Sequence, residues 1–439
     1  MPTQFSNTLS FRKARRARMR TAWSVWCVAM VFVLFQFFLQ LSSGEVINGL
    51  IKSFTLTAFT GGILASSYYY VYVLLQIPAG LLLDRYGPRG LLSGGALVVA
   101  IGCTVFSFAK TIDIALIGRI MMGGGSAFAF VGCLNIISIW FPKRKFALMA
   151  AIVETAGMAG AIFGNFWLAQ VIQKMGWRNA MSIAGIFAAI LSCFLWIIVR
   201  NARNKKRKSL YEAADTEIYR QLKKLLANKM IWLNGAFSGV MFSIVTVFAA
   251  LWAIPFFEIS HQVNLVQSTL TASCLYAGVG IGGPIMGWLD GKTSWRKPMM
   301  VSTAIFSGGF LTLSIYCIAA PLWVIGLLLF FSGMCASSYM LTFAIANDFA
   351  THTNRATLMG LTNMICVLFA PIFQPMVGFL MTLFDKLHTT TAAQEIPTAV
   401  MHFQWAISIV PLLALAAALM ACWLPGRKSP AKYMSSQPV

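Results

Sequence analysis

The chain has 439 residues, of which 58% are hydrophobic and only 10% charged. A soluble domain carries about 25% charged residues, so this composition excludes a water-soluble globule and makes lipid the solvent. Lys and Arg outnumber Asp and Glu by 34 to 12, yet the basic residues stand in short clusters between long apolar runs. That is an orientation signal for a membrane protein rather than a nucleic-acid-binding face.

The first such cluster lies between positions 12 and 20, followed by an apolar run from Thr21 to about Leu41. The run outlasts a secretory h-region and no small-x-small cleavage site follows, so it reads as a retained span. A hydrocarbon core about 30 Å thick takes roughly 20 apolar residues per helix. That ruler predicts six spans near 21–43, 57–83, 91–108, 114–140, 147–173 and 179–198. Six more follow near 231–254, 269–289, 299–319, 322–347, 357–383 and 400–423. The expected organisation is a basic cytoplasmic N-terminus (1–20), a six-helix bundle (21–200), a cytoplasmic central loop (201–229), a second bundle (230–424) and a cytoplasmic tail (425–439).

Alternate loops collect 28 of the 34 basic residues on one side; the far side and the spans keep only Lys52, Lys110, Arg119, Lys174, Arg178 and Lys386. This asymmetry predicts a multi-pass protein of the bacterial inner membrane with both termini cytoplasmic. In the central loop, the basic run from Arg203 to Lys208 precedes Ile218, Leu222 and Leu225 at helical spacing. That pattern suits either a short amphipathic helix on anionic lipid or a solvated linker.

Between spans two and three the chain reads Gly80-Leu-Leu-Leu-Asp84-Arg85-Tyr86-Gly87-Pro88-Arg89, preceded by Gln76-Ile77-Pro78. This resembles the signature G-x-x-x-D-R-x-G-x-R of the major facilitator superfamily, in the loop where that family carries it. A degraded echo, Gly287-Trp-Leu-Asp290-Gly291, stands six spans later and is followed by Arg296 and Lys297. The resemblance covers essentially the whole chain and implies an all-α membrane fold of twelve helices in two pseudo-symmetric bundles. It also implies alternating access about a site between the halves. The motif residues Gly80, Asp84, Arg85, Gly87, Arg89 and Asp290 would then gate the mouth on the side of the termini.

Span four adds Arg119-x-x-x-Gly123-x-Gly125, which resembles a second family motif tied to proton coupling. The glycine-proline motif of drug antiporters is not met: span five has Gly157, Gly160 and Gly164 but no Gly-Pro pair. The segments Arg355 through Met364 and Gln374-Pro375 look like those of bacterial solute-uptake members.

Ionisable residues inside spans are costly and mark function. Arg119, Glu154 and Glu258 are the coupling candidates, with Glu258 and Glu45 as possible partners of Arg119 and Lys145 as one for Glu154. A polar, aromatic substrate cavity is expected from Gln36, Gln40, Tyr68, Tyr72, Asn135, Asn165, Trp252, Tyr276, Tyr339 and Asn363. Of the four tyrosines at 68, 69, 70 and 72, at most two are expected on one face. The cluster Gly278 to Pro284 in span eight, and Pro371 and Pro375 in span eleven, are expected to loosen the backbone.

Nine cysteines and four histidines show no metal-ligand or nucleophile–base spacing, and no GxxxxGK[ST] loop occurs. Neither metal nor cofactor is expected, nor enzymatic activity. The expected function is proton-coupled import of a small polar solute such as an amino acid, short peptide or carboxylate. Export of a drug or siderophore, or solute sensing by a transporter-like receptor, are the alternatives. The expected partners are a small-molecule substrate, protons and the lipid bilayer.

Overall fold

A computed structural model describes residues 3–141, 146–201, 226–293, 295–349, 355–387 and 395–425. Every regular element among them is helical. The first half consists of α1 (Thr3–Gln40), α2 (Ser43–Phe54), α3 (Ala58–Tyr86), α4 (Pro88–Ser107), α5 (Ile112–Trp140) and α6 (Phe146–Ile198). The second comprises α7 (Lys229–Ser243), α8 (Ala253–Ser260), α9 (Leu265–Lys292), α10 (Arg296–Tyr316), α11 (Leu322–Ala336), α12 (Leu341–Phe349), α13 (Arg355–Leu387), α14 (Glu395–Ile407) and α15 (Ile409–Trp423). The basic run near the N-terminus lies on α1 itself, so the first span's helix begins well before its apolar stretch.

Eleven described segments are long and apolar enough to cross a membrane. One of them, Ile152–Ile198, has 47 residues, about 70 Å at 1.5 Å per residue, where a single crossing needs about 30 Å. It makes two passes, turning at Gly176 with φ of 79°, a left-handed value that glycine adopts without a Cβ clash. Twelve passes result. Side chains such as Phe163, Ile197, Trp323 and Leu419 point outward on this bundle, a belt that lipid accepts and water would not.

The packing is pseudo-twofold. Within the first half, span one packs on span five, two on four, three on four and three on six; the second half repeats each pairing six spans later. Between the halves, span two (α3) packs on span eleven (α13), and its symmetry mate, span five (in α6), packs on span eight (α9). At one end the approach is closest: a Cβ on Gly62 would stand 2.9 Å from the Gln374 carbonyl oxygen and the Pro375 Cα. This is the end opposite the N-terminus, called here the far face; the other is the termini face.

The glycines and prolines of spans eight and eleven do not break those helices. α9 runs on through Pro284, and α13 through Pro371 and Pro375, because buried membrane helices satisfy the carbonyl freed by a proline from neighbours. Irregular backbone lies elsewhere. The first span breaks at Leu41–Ser42, the seventh winds as a π-helix over Ile244–Trp252, and the tenth tightens to a 3-10 turn over Ser337–Met340. Spans one and seven are pseudo-symmetry mates, so both halves distort the same element.

Candidate functional site at the broken first span

A helix that stops inside a protein leaves its last carbonyls without N–H partners. At the break in span one, four helices supply donors. Arg119 on α5 reaches the Leu39 carbonyl at 3.5 Å, the Ala65 carbonyl at 3.1 Å and the Ser43 hydroxyl at 2.6 Å. The Tyr69 hydroxyl on α3 donates to the Gln40 carbonyl at 2.9 Å. The Leu41 carbonyl accepts from the Asn165 amide of α6 at 2.9 Å and from the Tyr276 hydroxyl of α9 at 3.4 Å. Tyr276 belongs to the other half, so the break sits at the seam between the bundles.

The seventh span is treated alike. The Gln374 amide of α13 donates to the Thr246 carbonyl inside the π-segment at 2.7 Å, and Trp252 Nε1 donates to the Gln374 carbonyl at 3.1 Å. Span eleven stands to span seven as span five stands to span one. Asn165 and Gln374 are thus matching amides that hold matching irregularities.

Polar side chains line the seam below these contacts. Gln36 donates to Gln40 one turn on, and the Gln36 Oε1 is left without a partner. Tyr68, Tyr69 and Tyr72 are all buried, and only Tyr70 is substantially exposed. Three tyrosines are buried without sharing one face, because α3 is covered on one side by α5 and on another by α13. Tyr68 stacks on Tyr72 with centroids 5.8 Å apart and lies 5.4 Å beneath the Arg119 guanidinium. The Tyr68 hydroxyl, the Ser126 hydroxyl and the Gln36 side chain face one another in this buried cluster, within weak hydrogen-bonding reach. Towards the termini face, Asn363 donates to Gln76 across the seam at 3.1 Å, and Asn135 lies half-buried on α5.

The ionisable candidates separate. Arg119 is 3% exposed and has no carboxylate within ion-pair distance among the described residues. Neither Glu45 nor Glu258 is its partner; its hydrogen bonds go to the Leu39 carbonyl and Ser43 hydroxyl at the break and to the Ala65 carbonyl of span two. Glu154, on α6 near the termini face, accepts from the Tyr339 hydroxyl of the other half at 2.8 Å; Lys145 lies outside the described residues. Glu258, on α8, accepts from Asn48 of α2. Glu45, in the first turn of α2, is 3% exposed, and its Oε2 has no partner. Burial pushes the Glu45 carboxyl up to about 8, because removal from water disfavours the charged form.

The motif loop between spans two and three is built on Gly87, whose φ of 81° ends α3 and opens α4. Asn201 braces it, accepting from the Arg89 amide at 3.0 Å and donating to the Tyr86 carbonyl at 3.2 Å. The Arg89 guanidinium donates to the Trp196 carbonyl at 2.8 Å and lies over that indole. Gly80 faces Val131 on α5, and Arg85 is exposed beside Tyr86; the Asp84 side chain lies outside the described residues. In the second half, Arg296 grips Asp290 with two bonds of 2.7 and 2.8 Å and reaches Asp348 at 2.6 Å. The basic run at 203–208 and Ile218, Leu222 and Leu225 also lie outside the described residues.

The family model for the Major Facilitator Superfamily matches residues 21–375 and, in a second match, 253–437. The chain belongs to the major facilitator superfamily. Like its relatives in the family, it is a multi-pass membrane transporter and not an enzyme. Similar proteins include the uncharacterised transporter YybO of Bacillus subtilis (strain 168), 25% identical over 66% of this chain and 70% of that one. The probable galactarate/D-glucarate transporter GarP of Escherichia coli (strain K12) is 25% identical over 54% of this chain and 60% of its own length. Among solved structures, a D-xylose-proton symporter superposes with a TM-score of 0.69 at 17% identity, covering 92% of this chain and 98% of that one. At that identity the likeness is one of fold.

Sequence reasoning missed the break in span one, since no proline marks it and Ser42-Ser43-Gly44 is a weak helix-ending signal. It also missed Gln76, Asp348 and Asn201 as partners, because each contact joins residues far apart in sequence.

Proposed function

We propose that this transporter imports a small polar solute bearing a carboxylate, by proton-coupled alternating access across a bacterial inner membrane with the termini face in the cytoplasm. One observation carries the reading: Arg119 is a buried cation beside the broken first span, with no carboxylate within ion-pair distance among the described residues. A guanidinium has five N–H donors in a fixed fork and pairs with carboxylates in a bidentate way. Tyr68 lies against the guanidinium, and its hydroxyl, that of Ser126 and the Gln36 amide form a polar cluster that can serve hydroxyl or amine groups of the same solute. GarP, by its name a probable transporter of two sugar acids, fits the same chemistry. Amino acids, short peptides and sugar acids all carry the required carboxylate. The asymmetry of basic loops supports a cytoplasmic termini face.

The test is uptake into proteoliposomes from a panel of radiolabelled D-glucarate, glutamate, a dipeptide and glucose, with and without an inward proton gradient. Accumulation of one of the acids, collapsed by a protonophore, is the expected result. Accumulation of glucose alone would overturn the substrate class, and gradient-independent uptake of an acid would overturn the coupling.

A further inference from the structure

Resting on the proton-coupled reading above, we propose that Glu45 is a proton-binding site of the transport cycle, taking its proton from far-face water as that face closes and holding it while the face is shut.

The first support is placement. Glu45 sits three residues beyond the break, on the short helix α2 that is wedged between the halves on the far face. Beside it, a Cβ on Gly44 would stand 3.0 Å from the Leu251 carbonyl and 3.1 Å from Ile254 Cδ1, so the second half presses against this turn. Parting of the halves at the far face uncovers α2 and admits water to Glu45.

The second is the lack of a counter-charge. Among the described residues, none of the charged and titratable groups around α2 makes a hydrogen bond or ion pair with the Glu45 carboxylate. Arg119 directs its hydrogen bonds to the Leu39 and Ala65 carbonyls and to the Ser43 hydroxyl. Glu258 takes Asn48, one turn along from Glu45, with Lys52 nearby. Arg178 of α6 serves Ser53 and the Ala109 carbonyl. Tyr276 directs its hydroxyl to Leu41, and Tyr69 directs its own to Gln40. One carboxylate oxygen of Glu45 leans on its own backbone amide and the other has no partner. An ionised carboxylate left that way is costly, and a proton removes the cost.

The third is selectivity among cations. A sodium ion or other hard metal ion needs several oxygen ligands. Here the Leu39, Gln40 and Leu41 carbonyls and the Ser43 hydroxyl already accept from protein donors. The Glu45 carboxylate offers one unpartnered oxygen, which suffices for a proton. The raised affinity that burial gives this carboxyl agrees with that geometry.

The experiment uses the full chain in liposomes. Infrared spectra follow the protonated-carboxyl C=O band against pH, and spin labels at Thr57 and Leu383 report the far-face separation of spans two and eleven. Glu45→Gln, which keeps the shape of the neutral acid, is compared with wild type, with Glu45→Asp, and with Glu154→Gln and Glu258→Gln. The expected result is a band that titrates in wild type, is absent from Glu45→Gln and returns in Glu45→Asp. It is accompanied by a far face that opens with rising pH in wild type but stays closed in Glu45→Gln. Identical bands in wild type and Glu45→Gln would overturn the proposal, as would a far face in Glu45→Gln that still follows pH, or opening that requires sodium in place of a pH change. Uptake indifferent to the proton gradient, with the Glu45 band present, would instead remove the symport reading and leave the site standing.

Discussion

Arg119 brings five donors to a place where a helix ends without a cap, and it directs three hydrogen bonds there, to two carbonyls and a hydroxyl. Its removal costs twice, once in unpaired acceptors at about 1–3 kcal/mol each and once in lost anion affinity. Arg119→Gln is therefore expected to lower the melting temperature as well as uptake. Arg119→Lys keeps the charge but not the fork, so it should keep most of the stability and lose at least tenfold in uptake. Parallel melting curves and transport assays on the two variants check this. Asn165 and Gln374 make a second, independent test. Each donates one amide bond to irregular backbone, so Asn165→Leu and Gln374→Leu should each destabilise by about 1–2 kcal/mol, read by chemical denaturation in detergent. The sequence put Arg119 and Asn165 on inward faces because polar residues in apolar spans have few other places to go. It could not say that both serve one broken helix, since the break is set by donors from four separate helices.

At the scale of elements, α2 and the α9–α10 corner carry distinct predictions. Glu45 on α2 holds its proton to a pH of about 8 when buried and to about 4.5 when free. Between those values the buried state binds the extra proton, so the far-face-closed conformation loses stability as pH rises through that window, by up to tenfold in population per pH unit. Above the upper value the dependence levels off. Distance distributions between labels on spans two and eleven, recorded across that range, test the sign. At the other corner, Arg296 is 4% exposed and pairs with Asp290 at 7%. Arg296→Ala breaks that buried pair and should cost about 3–5 kcal/mol, whereas Asp348→Asn, at a side chain 47% exposed, should cost under about 1 kcal/mol. A double-mutant cycle with Asp290→Asn separates the pair from the packing. The spans were legible because length and hydropathy report a bilayer directly. The irregular turns were not: glycine and proline pointed to spans eight and eleven, while the distortions fell in spans one and seven, where neighbours supply the missing hydrogen bonds.

On the scale of the whole molecule, the two halves meet through spans two with eleven and five with eight. Polar contacts cross the seam at several depths: Asn48 to Glu258 and Tyr276 to Leu41 near the far face, Glu154 to Tyr339 and Gln76 to Asn363 nearer the termini face. Rocking must break one set while it keeps the other. A bulky residue at Gly62 meets the backbone of Gln374 and Pro375, so Gly62→Leu should hold the far face open and cut net uptake by more than tenfold while solute binding persists. Labelling of the far-face seam with a membrane-impermeant reagent reports the opening. The twelve-span count and twofold plan follow from hydropathy and the repeated loop motif, but the pairing of the halves is invisible to any one-dimensional pattern.

The claim that the seam holds a carboxylate against Arg119 is tested most directly by ligand-induced thermal stabilisation of the purified protein. D-glucarate, glutamate, a dipeptide and their neutral amide or alcohol counterparts would be compared on wild type and Arg119→Lys. A ligand at 100 times its Kd stabilises the folded state by about 2.7 kcal/mol, a shift easily resolved. The account predicts that at least one acid stabilises wild type, that its neutral counterpart does not, and that Arg119→Lys loses most of the shift. Equal stabilisation by the acid and its neutral counterpart, or an acid shift undiminished in Arg119→Lys, would contradict it.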